Sequence, residues 1–594
     1  MSSWSDLVLW GVQLLTTASI FPESIGWLAR LSTLTITLPI PFQAISRLGL
    51  FVGITSIVLA LGALTPEGFS ASNASHASSE ITAPDPVLDT IPFPQSVNVG
   101  SAKLKLTPLL LAQTTNQELK PLSGVFAAEY QSLTGGKVVT HSSPSESSTI
   151  VQLALDHSLG EQTYRLVIDS KILITGASYA AVAMGTVTFL QLLEQENDGT
   201  FAVPQLIAID SPTLPFRGLL VDVARNWHDV STLEQLIELA RWYKINYVQL
   251  HLTDNDLFTF PTAAFPELMT PEKHYTKEQL QKLVEYASVR GVTLIPELDV
   301  PGHSRLMVKR KADKFGFNSA LKDPSIRAVS TINMGREAAY QALDKLVKEV
   351  AKIFCTGPYI HMGGDEAKLQ PLASDPEVQR YMSVHKLDSV EELYRHFIVR
   401  MNEIVKRHGK QMMVWEGFRK EGRVEIPRDI TVMEFETAYQ LPSDLLAGGY
   451  QVINASWMPL YVVNEKKWEP DYIYNTWNPY RWENPFPQHP SFIPIQLEPA
   501  PQVKGAMMCA WEQAQEIELT SLRRRLAAMS ERAWQGGLQP ERSFVWFEGA
   551  LAHTDKALEA VLTGAKSLKL SADSGDYMDY MLKSFIKRCA GCFQ

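Results

Sequence analysis

The chain has 594 residues, enough for two or three domains and a large buried core. Its formal charge is −10, from 54 basic and 64 acidic residues, and its basic runs are as short as Arg523-Arg524-Arg525 on a predicted helix, so nucleic acid is not expected as a partner. The four cysteines, Cys355, Cys509, Cys589 and Cys592, are too few for a disulfide scaffold and lack zinc-finger spacing. Cys589-Ala-Gly-Cys592 has no βαβ setting of a redox site and reads as an incidental pair or a local disulfide.

In chain order, residues 1–83 form an apolar leader and a polar linker. Leu48 to Leu64 contains no charge, follows Arg47, and precedes the Ser/Ala/Asn/His-rich stretch Ser70 to Ser79. Basic residue, apolar core and small polar linker together predict a signal sequence or a membrane anchor, hence export to a periplasmic, extracellular or lumenal space or attachment to a membrane. Residues 84–210 read as a small α+β domain. Tyr164 to Ser170 and Lys171 to Gly176 are predicted strands, and Ala177 to Leu193 a helix. No polar cluster there suggests chemistry.

From residue 211 to 560 strand and helix alternate. The predicted strands are Arg217–Val223, Tyr247–Thr253, Val292–Leu298, Tyr359–Gly363, Gln411–Trp415, Ile430–Phe435, Gln451–Ala455 and Gly505–Ala510. Helical patterns cover Thr232–Tyr243, Lys277–Arg290, Gly335–Phe354 and Val390–His408. Strands apolar on both faces and separated by helices predict a parallel sheet closed into a (β/α)8 TIM barrel, an α/β fold preceded here by the α+β accessory domain. Tyr472 to Pro501 reads as a long aromatic and proline-rich loop on the binding face, and 561–594 as a C-terminal tail.

A barrel of this kind collects its chemistry at the carboxyl ends of its strands. Those ends carry Asp222 with Arg225, Asp254-Asn255-Asp256, Glu297 with Asp299 and His303, Asp365-Glu366, Trp415-Glu416, Glu434 and Glu436, Trp457 and Tyr461, and Trp511-Glu512. The fourth end stands out. In a regular strand Asp365 and Glu366 point to opposite faces, but Gly363-Gly364 ahead of them permits a backbone that turns both into one cavity. Two carboxyl groups in one pocket are the equipment of glycosidic bond cleavage, whereas alone the motif reads as a solvated acidic turn. Tryptophan, tyrosine, arginine and carboxylates together suit a sugar, with rings against its C–H face and charges on its hydroxyls. No His-Glu-x-x-His or comparable spacing marks a metal site, and no cofactor is expected.

Five motifs, Arg217-Gly-Leu-Leu-Val-Asp-Val-Ala-Arg225, Leu250-His-Leu-Thr-Asp254, Ile295-Pro-Glu-Leu-Asp-Val-Pro-Gly-His303, His361-Met-Gly-Gly-Asp-Glu366 and Val414-Trp-Glu416, resemble in order those of the glycoside hydrolase family 20 β-N-acetylhexosaminidases. The resemblance spans about Ile209 to Trp534, and the domain ahead is similar to that family's accessory domain. It implies removal of terminal β-linked GlcNAc or GalNAc from N-acetylhexosamine-containing glycans, with the substrate's own 2-acetamido oxygen as nucleophile. It further implies Glu366 as general acid and base, Asp365 as acceptor of the acetamido N–H, and Tyr461 as donor to the acetamido oxygen. By the same resemblance Arg225, Asp254, His303 and Glu512 bind substrate, Trp415 and Trp511 wall the pocket, and Asp299 with His303 forms a supporting pair near the acid. Asp365 is expected ionised and Glu366 protonated, because an ion on one raises the pKa of the other.

The chain departs from the family pattern at three points. Asn255 replaces a second aspartate, Val463 stands where an aspartate is common, and Trp511-Glu512-Gln513 puts Gln513 in register with the usual glutamate, which leaves the role of Glu512 open. Two other readings compete: a carbohydrate-binding barrel without turnover, and a glycosidase for another sugar with a protein nucleophile.

Overall fold

The computed structural model describes residues 88–140, 148–317, 330–464 and 466–567. The leader at 48–64 and the Cys589/Cys592 pair lie outside these residues. Among the described residues no helix is long and apolar enough to cross a membrane.

The accessory domain is one mixed sheet with helices against it. Its strands are β1 (Ser96–Lys105), β2 (Leu109–Gln113), β3 (Lys137–Val139), β4 (Thr149–Leu155), β5 (Tyr164–Ile168), β6 (Ile172–Gly176), β7 (Glu194–Gln195) and β8 (Phe201–Asp210). The order is β1-β8-β5-β6-β4-β2-β3, with β7 on β8. Helix α1 (Lys120–Thr134) and helix α2 (Tyr179–Gln191) pack beside it. Ser178 caps α2 by accepting from Ala181 N at 3.2 Å. Nearly every residue of α2 from Ala181 on is buried. An α-helix apolar on all sides has to be covered on all sides, and α2 has the sheet on one side and the barrel on the other. Arg241 of the barrel donates to Ala183 O at 3.3 Å and Thr186 Oγ1 at 3.0 Å, and Gln191 donates to Trp242 O at 2.8 Å.

A buried polar knot fixes the two parts together. Lys244 Nζ, fully buried, lies 2.9 Å from the Tyr164 hydroxyl and 3.3 Å from Asp210 Oδ2. Trp534 Nε1 donates to Asp210 Oδ1 at 2.9 Å. Removing one member leaves a buried charge without its partner, the costly case for buried ion pairs.

The barrel strands are β9 (Phe216–Asp222), β10 (Tyr247–His251), β11 (Thr293–Glu297), β12 (Tyr359–His361), β13 (Gln411–Trp415), β14 (Thr431–Glu434) and β15 (Gln451–Asn454), followed by the two-residue β16 (Tyr461–Val462), the ribbon β17 (Arg481–Trp482) and β18 (Ile495–Gln496), and finally β19 (Val503–Ala510). All barrel pairings are parallel, and β15 on β19 closes the ring. Helices α3 (Val230–Trp242), α4 (Lys277–Ser288), α5 (Glu337–Ile353) and α6 (Val390–Arg407) lie where the sequence predicts helices. The barrel interior is a packed core that includes Phe216, Leu220, Ile295, Met413, Trp415, Phe435, Tyr461 and Met507.

Three expectations change. Tyr461 does not end the seventh strand: β15 stops at Asn454 and pairs with the first half of β19, while Tyr461–Val462 pairs with Cys509 and Ala510 at its far end. The seam is thus shared by two short strands, and the second carries the tyrosine to the barrel mouth. The segment Tyr472 to Pro501 is no plain loop, since it holds the β17–β18 ribbon and begins within a helix at Pro470–Asn475. Finally, helix α7 (Gln515–Gln535) is followed by α8 (Phe544–Ser567), which runs through the expected boundary at 560/561. Its residues Trp546 and His553 bond to Leu88 O and Gln191 O of the accessory domain at 3.2 and 2.9 Å. Burial against that domain extends the helix beyond the expected barrel end.

Candidate active site

The tip of β12 does what its glycines permit. Gly363 and Gly364 have φ of 66° and 109°, and Glu366 itself sits at 47°. A Cβ on Gly363 falls 1.9 Å from Asp299 Oδ1, so both the backbone and the space require glycine. Tyr394 donates to Gly364 O at 2.5 Å and holds the turn from the outside. The result brings the two acids to one imidazole: His303 Nε2 is 3.6 Å from Asp365 Oδ2 and 3.4 Å from Glu366 Oε2.

Asp254 organises the neighbouring strand ends. Its Oδ2 lies 2.9 Å from Arg225 Nη2, 3.0 Å from His251 Nε2 and 3.2 Å from His303 Nδ1. Arg225 is anchored again by Asp222 Oδ2 at 3.0 Å and stacks over Trp511 at 5.0 Å. Asp299 and His303, expected as a supporting pair, do lie together, with a carboxylate oxygen and a ring nitrogen within 4.8 Å of each other. Asp254 is the hydrogen-bond partner of His303, whereas Asp299 Oδ1 is buried and unpartnered, and Asp299 acts on His303 through its field. The physical reason is position: Asp299 follows β11 directly and turns under Gly363.

Beneath these groups lies a buried layer to which the sequence motifs assigned no role. Glu297 Oε1 accepts from Trp415 Nε1 at 2.7 Å and lies 3.2 Å from His361 Nδ1, while Oε2 lies 3.0 Å from His251 Nδ1 and accepts from Gln249 at 2.9 Å. Histidines at the ends of β10 and β12, flanking a glutamate at the end of β11, were the available signal. Trp415 is 1% exposed, so it forms the floor below the site rather than an open wall. Trp511 stands beside it at 5.8 Å, and Tyr461 packs 6.0 Å from Trp511 and 4.8 Å from Trp457.

Glu512 and Gln513 diverge. Gln513 is buried and donates to Asn464 Oδ1 and Trp511 O at 3.2 and 3.1 Å. Glu512 takes a left-handed backbone, φ 56°, with its carbonyl held by Asn226 and Asn464 and its N–H on Asp222. Its carboxylate points into a cleft of about 440 Å³, 3.9 Å from Arg225 Nε. The cleft is further lined by Asn255 and Asp256, which the sequence placed at the second strand end, and by Arg305, which it did not single out.

In the free site the imidazole of His303 dominates the charge pattern. Burial opposes a charge on His303, but Asp299, Asp365, Asp254 and Glu366 overcome it and raise its pKa to about 12. The resulting imidazolium, through its hydrogen bond, lowers the pKa of Glu366. Burial raises Asp365 despite the same imidazolium, helped by the charges of Glu297 and Glu366. In the free site the imidazolium thus favours the Glu366 anion, while burial pushes Asp365 upward. Glu436 adds a third carboxyl group, raised to about 7 by burial and then by Glu366 and Asp365.

Two sets of side chains have the donor spacing of a metal site, His251 with Glu297 and Asp299, and Asp254 with Asp299 and His303. In both, positive charge is already supplied: Arg225 lies on Asp254, and the imidazoles pair with the carboxylates. Together they form one hydrogen-bonded support.

A closed parallel barrel with paired carboxyl groups at one strand tip, an arginine anchored on two aspartates and a lining of tryptophan and tyrosine defines a glycosidase-type barrel. The comparisons agree. The family model "Glycosyl hydrolase family 20, catalytic domain" matches residues 214–537, and that family's domain 2 matches residues 87–211. The chain belongs to glycosyl hydrolase family 20. It is 26% identical over 395 residues to the β-hexosaminidase subunit beta of Mus musculus, covering 63% of this chain and 69% of that one. It is 29% identical over 294 residues to the β-hexosaminidase of Vibrio furnissii, covering 45% and 48%. Among solved structures, the family 20 exo-β-N-acetylglucosaminidase of Vibrio harveyi in complex with N-acetylglucosamine superposes with a TM-score of 0.66 at 20% identity, covering 80% of this chain and 77% of that one. The family 20 β-N-acetylhexosaminidase of Streptomyces coelicolor gives 0.62 at 21%, covering 81% and 97%.

Proposed function

We propose that this chain is a retaining β-N-acetylhexosaminidase in which the substrate's 2-acetamido oxygen attacks the anomeric carbon, Asp365 orients that group, and Glu366 is the acid and then the base. The observation that carries the reading is the convergence of Asp365 and Glu366 on His303, together with Asp365 Oδ1, which is buried and unpartnered. A buried carboxylate oxygen calls for a donor, and the acetamido N–H is one. Arg225, Asp254, Glu512 and Asn255 line the polar cleft and suit the sugar hydroxyls. Tyr461 at the barrel mouth suits the acetamido oxygen, and Trp511, backed by the buried Trp415, suits the C–H face of the ring.

Substrate binding also supplies the proton exchange that catalysis needs. A donated N–H stabilises Asp365 as the anion. Glu366, whose side chain is 59% exposed in the free site, loses water when the leaving group covers it, which favours the acid. The proton then stands on the residue facing the leaving oxygen. Attack forms the C1–O bond of the bicyclic oxazolinium ion while the glycosidic bond breaks and Glu366 gives its proton to the departing oxygen. Water, deprotonated by Glu366, reopens the ring. Release of chromophore from a β-N-acetylglucosaminide, with no release from the matching β-glucoside, tests the assignment. Equal rates on the two point to a protein nucleophile, and tight sugar binding without turnover points to a binding barrel.

We also propose that the protein works outside the cytosol, attached or released. The charge-free stretch Leu48 to Leu64 supports this. A chain beginning at Asp85 is expected to be soluble and active. Insolubility of that chain beside a soluble full-length protein assigns the leader to the core.

A further inference from the structure

Nine large hydrophobic side chains stand exposed among the described residues, and four of them, Tyr439 (37%), Leu441 (36%), Phe492 (50%) and Ile493 (76%), fall on two segments at the barrel mouth. The first segment leaves the carboxyl end of β14, and the second is the tip of the β17–β18 ribbon. The two are joined. Thr437 Oγ1 lies 2.8 Å from Ser491 Oγ and accepts from Ser491 N at 3.1 Å.

This lip is continuous with the catalytic pair by two routes. Tyr439 donates its backbone N–H to Glu416, next to Trp415, and its phenol is raised by burial and then by Glu416, Asp365, Glu436 and Glu366. On the ribbon side Phe486 packs edge-on against Trp457 at 5.1 Å, and Trp457 lies 4.8 Å from Tyr461. The same strand ends also carry the polar cleft of Arg225, Asn255, Arg305 and Glu512. The mouth therefore carries both hydrogen-bonding and apolar groups, and the Glu366 side chain is exposed there.

The polar side suits the hydroxyls of the terminal sugar. Aromatic faces alone could also serve a second sugar, but Leu441 and Ile493 are aliphatic, offer no ring face, and gain only by covering apolar surface. We propose that this lip is the leaving-group subsite and selects N-acetylhexosaminides whose aglycone is an aryl or alkyl group. The inference rests on the hydrolase reading above, since it takes Glu366 as the acid that faces the leaving oxygen.

The test compares kcat/KM for the methyl, butyl and octyl β-N-acetylglucosaminides and for the β1,4-linked disaccharide of N-acetylglucosamine. Each covered methylene is worth about fourfold, so the octyl glycoside is expected to exceed the methyl one by at least about tenfold. Phe492→Ser with Ile493→Ser is expected to shrink that ratio below about threefold. If the double variant fails to fold, Ile493→Asn alone is expected to reduce the ratio. A native ratio near one, a ratio the substitutions leave intact, or a preference for the disaccharide over the octyl glycoside overturns the proposal. Failure of the hydrolase reading looks different: no glycoside is cleaved, the methyl one included, and the octyl-to-methyl ratio of calorimetric affinities then decides the lip on the same thresholds.

Discussion

His303 Nε2 lies 3.4 Å from Glu366 Oε2, so the carboxyl group proposed as the general acid rests in the free protein beside an imidazolium that favours its anion. The same ring reaches Asp365 Oδ2 at 3.6 Å and is fixed from behind by Asp254. One cation thus acts on both carboxyl groups of the strand tip, lowering Glu366 and opposing the burial that raises Asp365.

Replacing that cation shifts both groups in one direction. His303→Asn, chosen because asparagine tolerates the φ of 43° found there, removes a lowering influence from Glu366 and from Asp365. Both limbs of the pH profile of kcat/KM are expected to move to higher pH. A bell that keeps its position, in a folded variant, removes His303 from control of the pair.

Glu366→Gln is expected to lose roughly 10²–10⁴-fold in turnover, the usual worth of general acid–base help, while product binding measured by calorimetry persists. Native rates in a folded Glu366→Gln protein sink the assignment.

Asp365→Asn keeps the shape but loses the charge that faces the cyclised cation, and a severe loss of rate is expected with the fold intact. A thiazoline mimic of the bicyclic intermediate is expected to inhibit strongly. Mass spectrometry that finds a sugar bound covalently to Asp365, or full activity on a substrate without the 2-acetamido group, refutes substrate assistance.

Gly363→Ala forces a left-handed alanine, a cost of roughly 1–2 kcal/mol, and places its Cβ against Asp299. Gly409→Ala is the control, with φ 70° and no atom within 4 Å. Denaturant midpoints are expected to fall for both, and activity only for Gly363→Ala. Equal activity in the two variants means the close approach to Asp299 is not needed.

Glu436 titrates near 7 in the folded protein against an ordinary value of 4.5. The native state then holds more protons than the unfolded chain between these values, so Glu436 lowers stability as pH rises through that window. Glu436→Gln is expected to raise Tm above pH 7 and to leave it nearly unchanged below pH 4.5. A Tm gain equal at both pH values contradicts the buried, charge-crowded setting of this carboxyl group.

The sequence by itself determined the barrel and the location of its chemistry. Strands buried on both faces must read as apolar runs, helices between them must carry an apolar stripe, and both signals are local; the eight strands from Phe216–Asp222 to Val503–Ala510 and the turn at Gly363-Gly364 were therefore legible. Only the tertiary structure decided the partners. That His303 bonds Asp254 and not Asp299, that Glu297 ties His251, His361 and Trp415 into a floor, and that Tyr461 rides its own strand on β19 all depend on how separate strand ends are rotated and staggered around the closed ring. The direction of the Asp365–Glu366 split was beyond the sequence for a further reason: a pKa sums burial and the fields of every nearby charge, and the imidazolium that tips this sum comes from a loop some sixty positions earlier in the chain.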